Sequence, residues 1–165
     1  MRLPRILVFL ALLPFGAVAS GYPGSAIAEG GLAVTGNVDH PLQLSADEVR
    51  HMPPVTEDVS FEAHQQQQKA TFTGASLWAV LAKAGIVDGQ AKGAHLNHAI
   101  VVKGQDGYAV TLAIGEIDPD FEGKSVIVAY ERDGKPLDNG ELQLVVPGDH
   151  KGGRMVHGLA SIEVR

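Results

Sequence analysis

The chain has 165 residues, 19 acidic against 13 basic, a net charge of −6 and no cysteine. That length suits one ordinary domain, and 45% hydrophobic residues are enough to bury a core, which excludes wholesale disorder. Without cysteine there is no disulfide framework, zinc–cysteine centre, iron–sulfur cluster or thiol nucleophile. The acidic balance argues against non-specific nucleic-acid binding, which neutralises phosphates with basic surface.

The first residues follow the grammar of a secretory signal peptide. Arg2 and Arg5 are basic, Ile6 to Phe15 is an apolar run broken only by Pro14, and Ala17-Val18-Ala19 is a small-residue cleavage site. A second such site, Ala26-Ile27-Ala28, leaves the cut open. The expected division is a signal peptide over 1–19, a flexible lead-in over 20–31 and a single domain over 32–165. Loss of Met1 to Ala19 removes two arginines and no acid, so the net charge goes from −6 to −8. No second long apolar run follows, so no transmembrane span is expected in the mature chain.

Leu32 to Gly36 alternates as a strand and Pro41 to Leu44 is a short extended piece. Ser45-Ala46-Asp47-Glu48 has the form of a capping box and starts a short helix that ends before Met52-Pro53-Pro54. Glu57 to His64 alternates as a strand, Gln65 to Gln68 reads as a polar loop or strand end, and Thr71 to Thr73 is β-like. Leu77, Val80, Leu81 and Ala84 have helical spacing, with Gly85 as the terminating glycine. Ala99 to Val102 and Tyr108 to Leu112 form a hairpin about Gln105-Asp106-Gly107. Glu116 to Phe121 is a turn or single helical turn. Ser125 to Tyr130, Leu142 to Val146 and Leu159 to Val164 are strands, with an Asp-Gly turn at Arg132 to Lys135. Strands outnumber helices, so the class is α+β with a mixed, mostly antiparallel sheet.

The loop Gly148 to Gly158 is the most unusual segment. Its glycines let backbone amides approach a ligand, and Lys151 and Arg154 can grip an anion or a planar heterocycle. A solvated surface hairpin accounts for the same composition, and spacing does not choose between the two. The loop lacks the Lys-Ser/Thr pair of a Walker motif. His95 and His98, and His150 and His157, fall outside tight metal-ligand spacings, so scattered surface histidines and no metal site are expected, with copper or zinc binding as the lesser alternative. No Gly-x-Ser-x-Gly elbow is present. Trp78 sits beside the apolar stripe of its helix, a packing position. Tyr108 and Tyr130 can stack on a ligand or pack.

Five segments resemble, in order, the molybdopterin-binding domain of the sulfite oxidase family. They are LAVTGNVDHPLQLSADEV, TFTGASLWAVLAKAGI, VVKGQDGYAVTLAIGEI, VIVAYERDGKPL and LQLVVPGDHKGGRMVHGLASIEV, and they span Leu32 to Val164. The resemblance implies the sulfite oxidase-like molybdopterin-binding fold and a pterin pocket. Enzymes of the family hold molybdenum through a cysteine in the loop after the strand that here ends at His64. The matching place is His64 and Gln65, and neither supplies the soft thiolate that fixes the metal.

The resemblance carries further residues into the site. Tyr108 matches an active-site tyrosine and Asp106 an aspartate lining the cofactor. Gly152, Gly153, Arg154, Met155, Val156 and His157 match the segment that wraps the pterin and its phosphate. His157 stands where the enzymes have lysine, Gln143 where they have arginine and Asn139 where they have histidine. Losing fixed cations weakens phosphate binding and keeps a slot for a flat ring. The expected ligand is thus an unphosphorylated, metal-free pterin. Its amino-pyrimidinone edge would pair with Asp106, Glu131 or Asp133, with Lys151 and Arg154 nearby. The implied function is a periplasmic, non-catalytic pterin-binding protein, reporting to a partner such as the periplasmic domain of an inner-membrane signalling protein. The alternatives are a molybdenum-cofactor oxidoreductase with an atypical ligand near His64, and an adaptor domain that has lost its ligand.

Overall fold

The computed structural model describes residues 31–63, 65–87 and 93–165. The expected signal peptide, the lead-in before Gly31 and His64 lie outside them. The α+β class and the mostly antiparallel pairing expected from the sequence are both present, with the strands divided between two five-stranded sheets.

In the first sheet, β1 (Leu32–Gly36) lies between β2 (Leu42–Leu44) and the last strand, β10 (Leu159–Val164). β1 and β10 form the one parallel pair of this sheet. β10 in turn pairs with β5 (Ala99–Gly104), and β5 with β6 (Ala109–Ala113). The second sheet holds β3 (Pro54–Ala63), β4 (Gln66–Ser76), β7 (Ile127–Arg132), the short β8 (Lys135–Pro136) and β9 (Gln143–Val145). Here β3 pairs β4, β4 pairs β7, and β8 and β9 both pair β7.

Several boundaries differ from the expectation for local reasons. β3 starts at Pro54, because proline is tolerated at the first residue of a strand that lies on a sheet edge. The glutamines 66–68 are strand, paired with Phe61 to Ala63, and Gln65 makes the hairpin tip at a φ of 61°. The helical turn expected from Glu116 begins earlier, as α3 (Ile114–Ile117). The Glu116 carboxylate accepts from the Ala113 N–H at 3.0 Å and fixes that start. Tyr108 precedes β6 instead of opening it.

The two longer helices follow their sequence signals. Helix α1 (Ala46–Arg50) begins with the capping box: the Glu48 N–H donates to the Ser45 hydroxyl at 3.2 Å, and the Ser45 N–H donates to the Glu48 carboxylate at 2.8 Å. Helix α2 (Leu77–Ala84) buries Leu77, Val80, Leu81 and Ala84 and stops at Gly85, whose φ of 70° suits glycine.

Two hydrophobic cores result. The larger packs α2 against β1, β5 and β10 and against one face of β7 and β9, through Val128, Tyr130 and Leu144. The smaller joins Val59 and Phe61 of β3, Ala70 and Phe72 of β4, and Met155 to the other face of β7 and β9, through Ile127, Ala129 and Val145. The continuous apolar run Ile127-Val128-Ala129-Tyr130 is therefore buried on both faces, which is why it does not alternate with polar residues.

Candidate functional site

The smaller core is incomplete at one end. Beyond Phe61, β3 and β4 run on through Ala63 and Gln68, and the glycine loop closes over this end from the other side. A cavity of about 760 Å³ remains, lined by Phe61, Glu62, Ala63, Gln68, Tyr108, Arg132, Gln143, Lys151, Gly152, Gly153, Met155 and His157. A second cavity of about 440 Å³ shares Arg132, Gln143 and His157 with it and adds Asp133, Lys135, Asp138, Glu141 and neighbouring apolar residues.

Gln143 is the most telling of these residues. It sits in the apolar run Leu142-Gln143-Leu144-Val145-Val146, two residues from Val145 and so on the face that looks into the smaller core. It is 3% exposed, lines both cavities, and its amide has no hydrogen-bond partner among the described residues. No buried side-chain nitrogen or oxygen among the described residues lacks a partner, so the Gln143 amide atoms open onto the cavities, where their donors and acceptor are available to a ligand.

The glycine loop is held in place from two sides. The Tyr108 hydroxyl donates to the Gly153 carbonyl at 2.6 Å, and the Glu62 N–H donates to the His150 carbonyl at 2.8 Å. A side chain at Gly152 would bring its Cβ within 3.0 Å of the Phe61 ring, so glycine there lets the loop lie flat on that ring. Arg154 anchors the loop to the body of the domain. Its guanidinium donates to both Asp149 carboxylate oxygens, at 2.8 and 2.6 Å, and to Glu116 at 2.9 Å.

These contacts favour the charged form of all three groups. The Arg154 bond, against a smaller opposing effect of burial, holds the Asp149 carboxyl below its ordinary value. Burial pushes Glu116 up, but the Ala113 N–H and the Arg154 bond and charge together bring it below its ordinary value. The two carboxylates raise Arg154 further above its already high value, so it stays charged at any working pH.

Of the residues expected in the site, Tyr108, Lys151, Gly153, Met155 and His157 line the larger cavity. The others are placed differently. Arg154, expected to grip a ligand, is engaged by Asp149 and Glu116 and lines neither cavity. Asp106 shapes its turn by accepting from the Tyr108 N–H at 2.9 Å. Glu131 lies on β7, paired with Thr73 and Pro136, and Gln65 is at the exposed hairpin tip; neither lines a cavity. Val156 is fully buried in the larger core. Asp133 lines the second cavity.

Phe61, Gln68 and Arg132 line the larger cavity without having been expected there. Phe61 was legible as an inward residue of an alternating strand. Arg132 was legible only as part of a turn, whereas its guanidinium stacks 5.5 Å from the Phe72 ring centroid, at the rim of the smaller core.

The family described as "Oxidoreductase molybdopterin binding domain" matches residues 22–165. The chain belongs to this family. Among curated protein sequences none matches it. Among solved structures, the sulfane dehydrogenase SoxCD from Paracoccus pantotrophus is similar, with a TM-score of 0.67 and 17% sequence identity. The likeness covers 84% of this chain and 39% of the SoxCD chain, so the molybdopterin-binding domain spans well under half of that protein. At that identity the likeness shows the molybdopterin-binding fold. The metal of the family does not fit the donors of this chain. No thiolate is available in the sequence, and among the described residues no three His, Asp or Glu side chains gather to hold an ion.

Proposed function

We propose that this chain is an exported, non-catalytic protein that binds an unphosphorylated pterin without molybdenum. In this reading it reports occupancy to a partner such as the periplasmic domain of an inner-membrane signalling protein. The observation that carries the reading is the Gln143 amide, which faces the cavity without a protein hydrogen-bond partner, in a chain that has no thiolate to hold the metal. An amide offers two N–H donors and an acceptor, which suits the alternating donors and acceptors of an amino-pyrimidinone edge. Phe61 and Met155 offer an aromatic face and a polarizable thioether for a flat ring.

The larger cavity carries Arg132 and Lys151 against Glu62, and it is the charges of the second cavity that disfavour a phosphate. The second cavity carries Asp133, Asp138 and Glu141 against Arg132 and Lys135, and Arg132 already lies 3.5 Å from the Asp133 carboxylate. A phosphate there would meet more fixed negative charge than positive. His157 and Gln143, between the two cavities, add no permanent cation.

Titration with neopterin, followed by heat and by quenching of pterin fluorescence, tests the reading. Saturable binding at micromolar concentrations is expected. Absence of both signals at high micromolar ligand would overturn it. The family's own description favours an oxidoreductase as the second reading. Stoichiometric molybdenum in protein purified from its host, together with sulfite-dependent electron transfer, would establish that reading instead.

A further inference from the structure

Strand β3 is an edge of the second sheet among the described residues. In an antiparallel pair, alternate residues turn their backbone groups toward the neighbouring strand and away from it. The Glu62 N–H is directed away from β4, since it donates to the His150 carbonyl. By the two-residue period, Thr56, Asp58 and Ser60 also hold their N–H and C=O groups outward. None of these groups has a backbone partner among the described residues. The glycine loop closes the far end of this edge, through a parallel bridge between Glu62 and Lys151. Among the described residues, the length from Thr56 to Ser60 stays open.

The side chains give this edge a definite character. Val55, Val59, Phe61 and Ala63 face the smaller core, so Thr56, Asp58, Ser60 and Glu62 stand exposed on the other face. β3 carries Glu57, Asp58 and Glu62 and no base, and Lys69 is the one base of β4. Pairing of β3 with a second copy, antiparallel about Asp58, would set Asp58 against Asp58. Like charges directly opposite are destabilising. An extended basic segment meets no such penalty, and like-charge rejection of a second copy is a common device on edge strands.

We propose that the outer edge of β3, from Thr56 to Ser60, takes up an extended basic segment of a partner protein as an added strand. The same strand ends in Phe61, Glu62 and Ala63, which line the larger cavity, so ligand and partner would be held by one continuous element. The proposal holds whatever ligand fills the cavity.

The test uses the mature chain and a synthetic peptide alternating lysine with valine, with amide hydrogen exchange followed residue by residue. The peptide should slow exchange at Thr56, Asp58 and Ser60 by about tenfold or more, a change of about 1.4 kcal/mol. The same peptide N-methylated at every residue, which leaves neither of its edges able to donate, should leave these amides unchanged. Ser60→Pro, tolerable on an edge strand, should abolish the protection. Should that variant fail to fold, Asp58→Lys should weaken it several-fold.

Equal protection by the N-methylated peptide, protection elsewhere, or none at millimolar peptide would overturn the proposal. So would slow exchange at these amides in the chain alone, which would mean that the chain itself or a second copy already covers the edge. Neopterin titration of the same samples separates the two ideas: intact pterin binding with no peptide effect sinks only the docking strand, and the reverse sinks only the pterin.

Discussion

The two cores are built from opposite faces of the same strands and finish differently. On one face of β7 and β9, Val128, Tyr130 and Leu144 meet α2 and the first sheet, and the space is filled by side chains such as Leu81, Ile100 and Ile162. On the other face, Ile127, Ala129 and Val145 meet only β3, β4 and Met155, and the packing gives way to the cavity at Gln143. The filled face has the apolar packing that stabilises a fold. The unfilled face gives up part of that packing and keeps a polar group that no protein atom satisfies. A candidate site of this kind is an interrupted core.

That comparison can be broken by mutation. The largest effect is expected in the filled core. Leu81→Ala removes a fully buried side chain and should cost about 2–5 kcal/mol, read as a lowered denaturant midpoint, with pterin affinity per folded molecule unchanged. A loss of affinity equal to that of a cavity mutant would show that the two cores do not act separately.

Gln143→Leu reverses the pattern. Replacing a cavity-facing amide that has no protein partner with an apolar side chain of similar size should leave stability nearly unchanged. The same change should weaken neopterin binding about tenfold or more in a calorimetric titration. Lowered stability with unchanged affinity would place Gln143 among structural residues.

Arg154→Ala tests the anchor of the loop that forms one wall of the cavity. Its partly buried bonds to Asp149 and Glu116 should be worth about 1–2 kcal/mol after allowance for solvent screening. Because Arg154 lines neither cavity, the loss should appear mainly in thermal stability. The anchor also sets a pH dependence. Asp149 and Glu116 have folded values below their ordinary 3.8 and 4.5. Their contribution is therefore complete above the ordinary carboxylate range and is lost as the pH falls through the lowered folded values. Acid unfolding of the wild type should show this loss, and Arg154→Ala should flatten it. The smallest change is Ser45→Ala, which removes the α1 cap and should cost about 1 kcal/mol without touching the site.

Much of the fold was legible because its signals are local. The Ser45–Glu48 box, the Leu77–Ala84 stripe ending at Gly85 and the alternation around Val59 and Phe61 each specify an element within a few residues. The division into two sheets was not legible, because it depends on β7 being buried on both faces, and a run such as Ile127 to Tyr130 does not say what covers it. The site was legible where loop residues themselves form the wall, as at Tyr108, Lys151, Gly153, Met155 and His157. It was not legible at Arg154, whose charge suited a ligand as well as it suits Asp149 and Glu116. Those partners lie 5 and 38 residues away, and only the folded chain brings them together. Gln143 was legible only as the place where the family's enzymes carry arginine, and its opening to both cavities follows from the pairing of β9 with β7.

The central claim is that the interrupted core holds a pterin and no molybdenum. Native mass spectrometry of the full protein, purified from the cell that makes it, tests both halves at once. A bound mass that releases an unphosphorylated pterin, with no molybdenum isotope pattern, is predicted. A bound phosphorylated molybdopterin carrying molybdenum would contradict it.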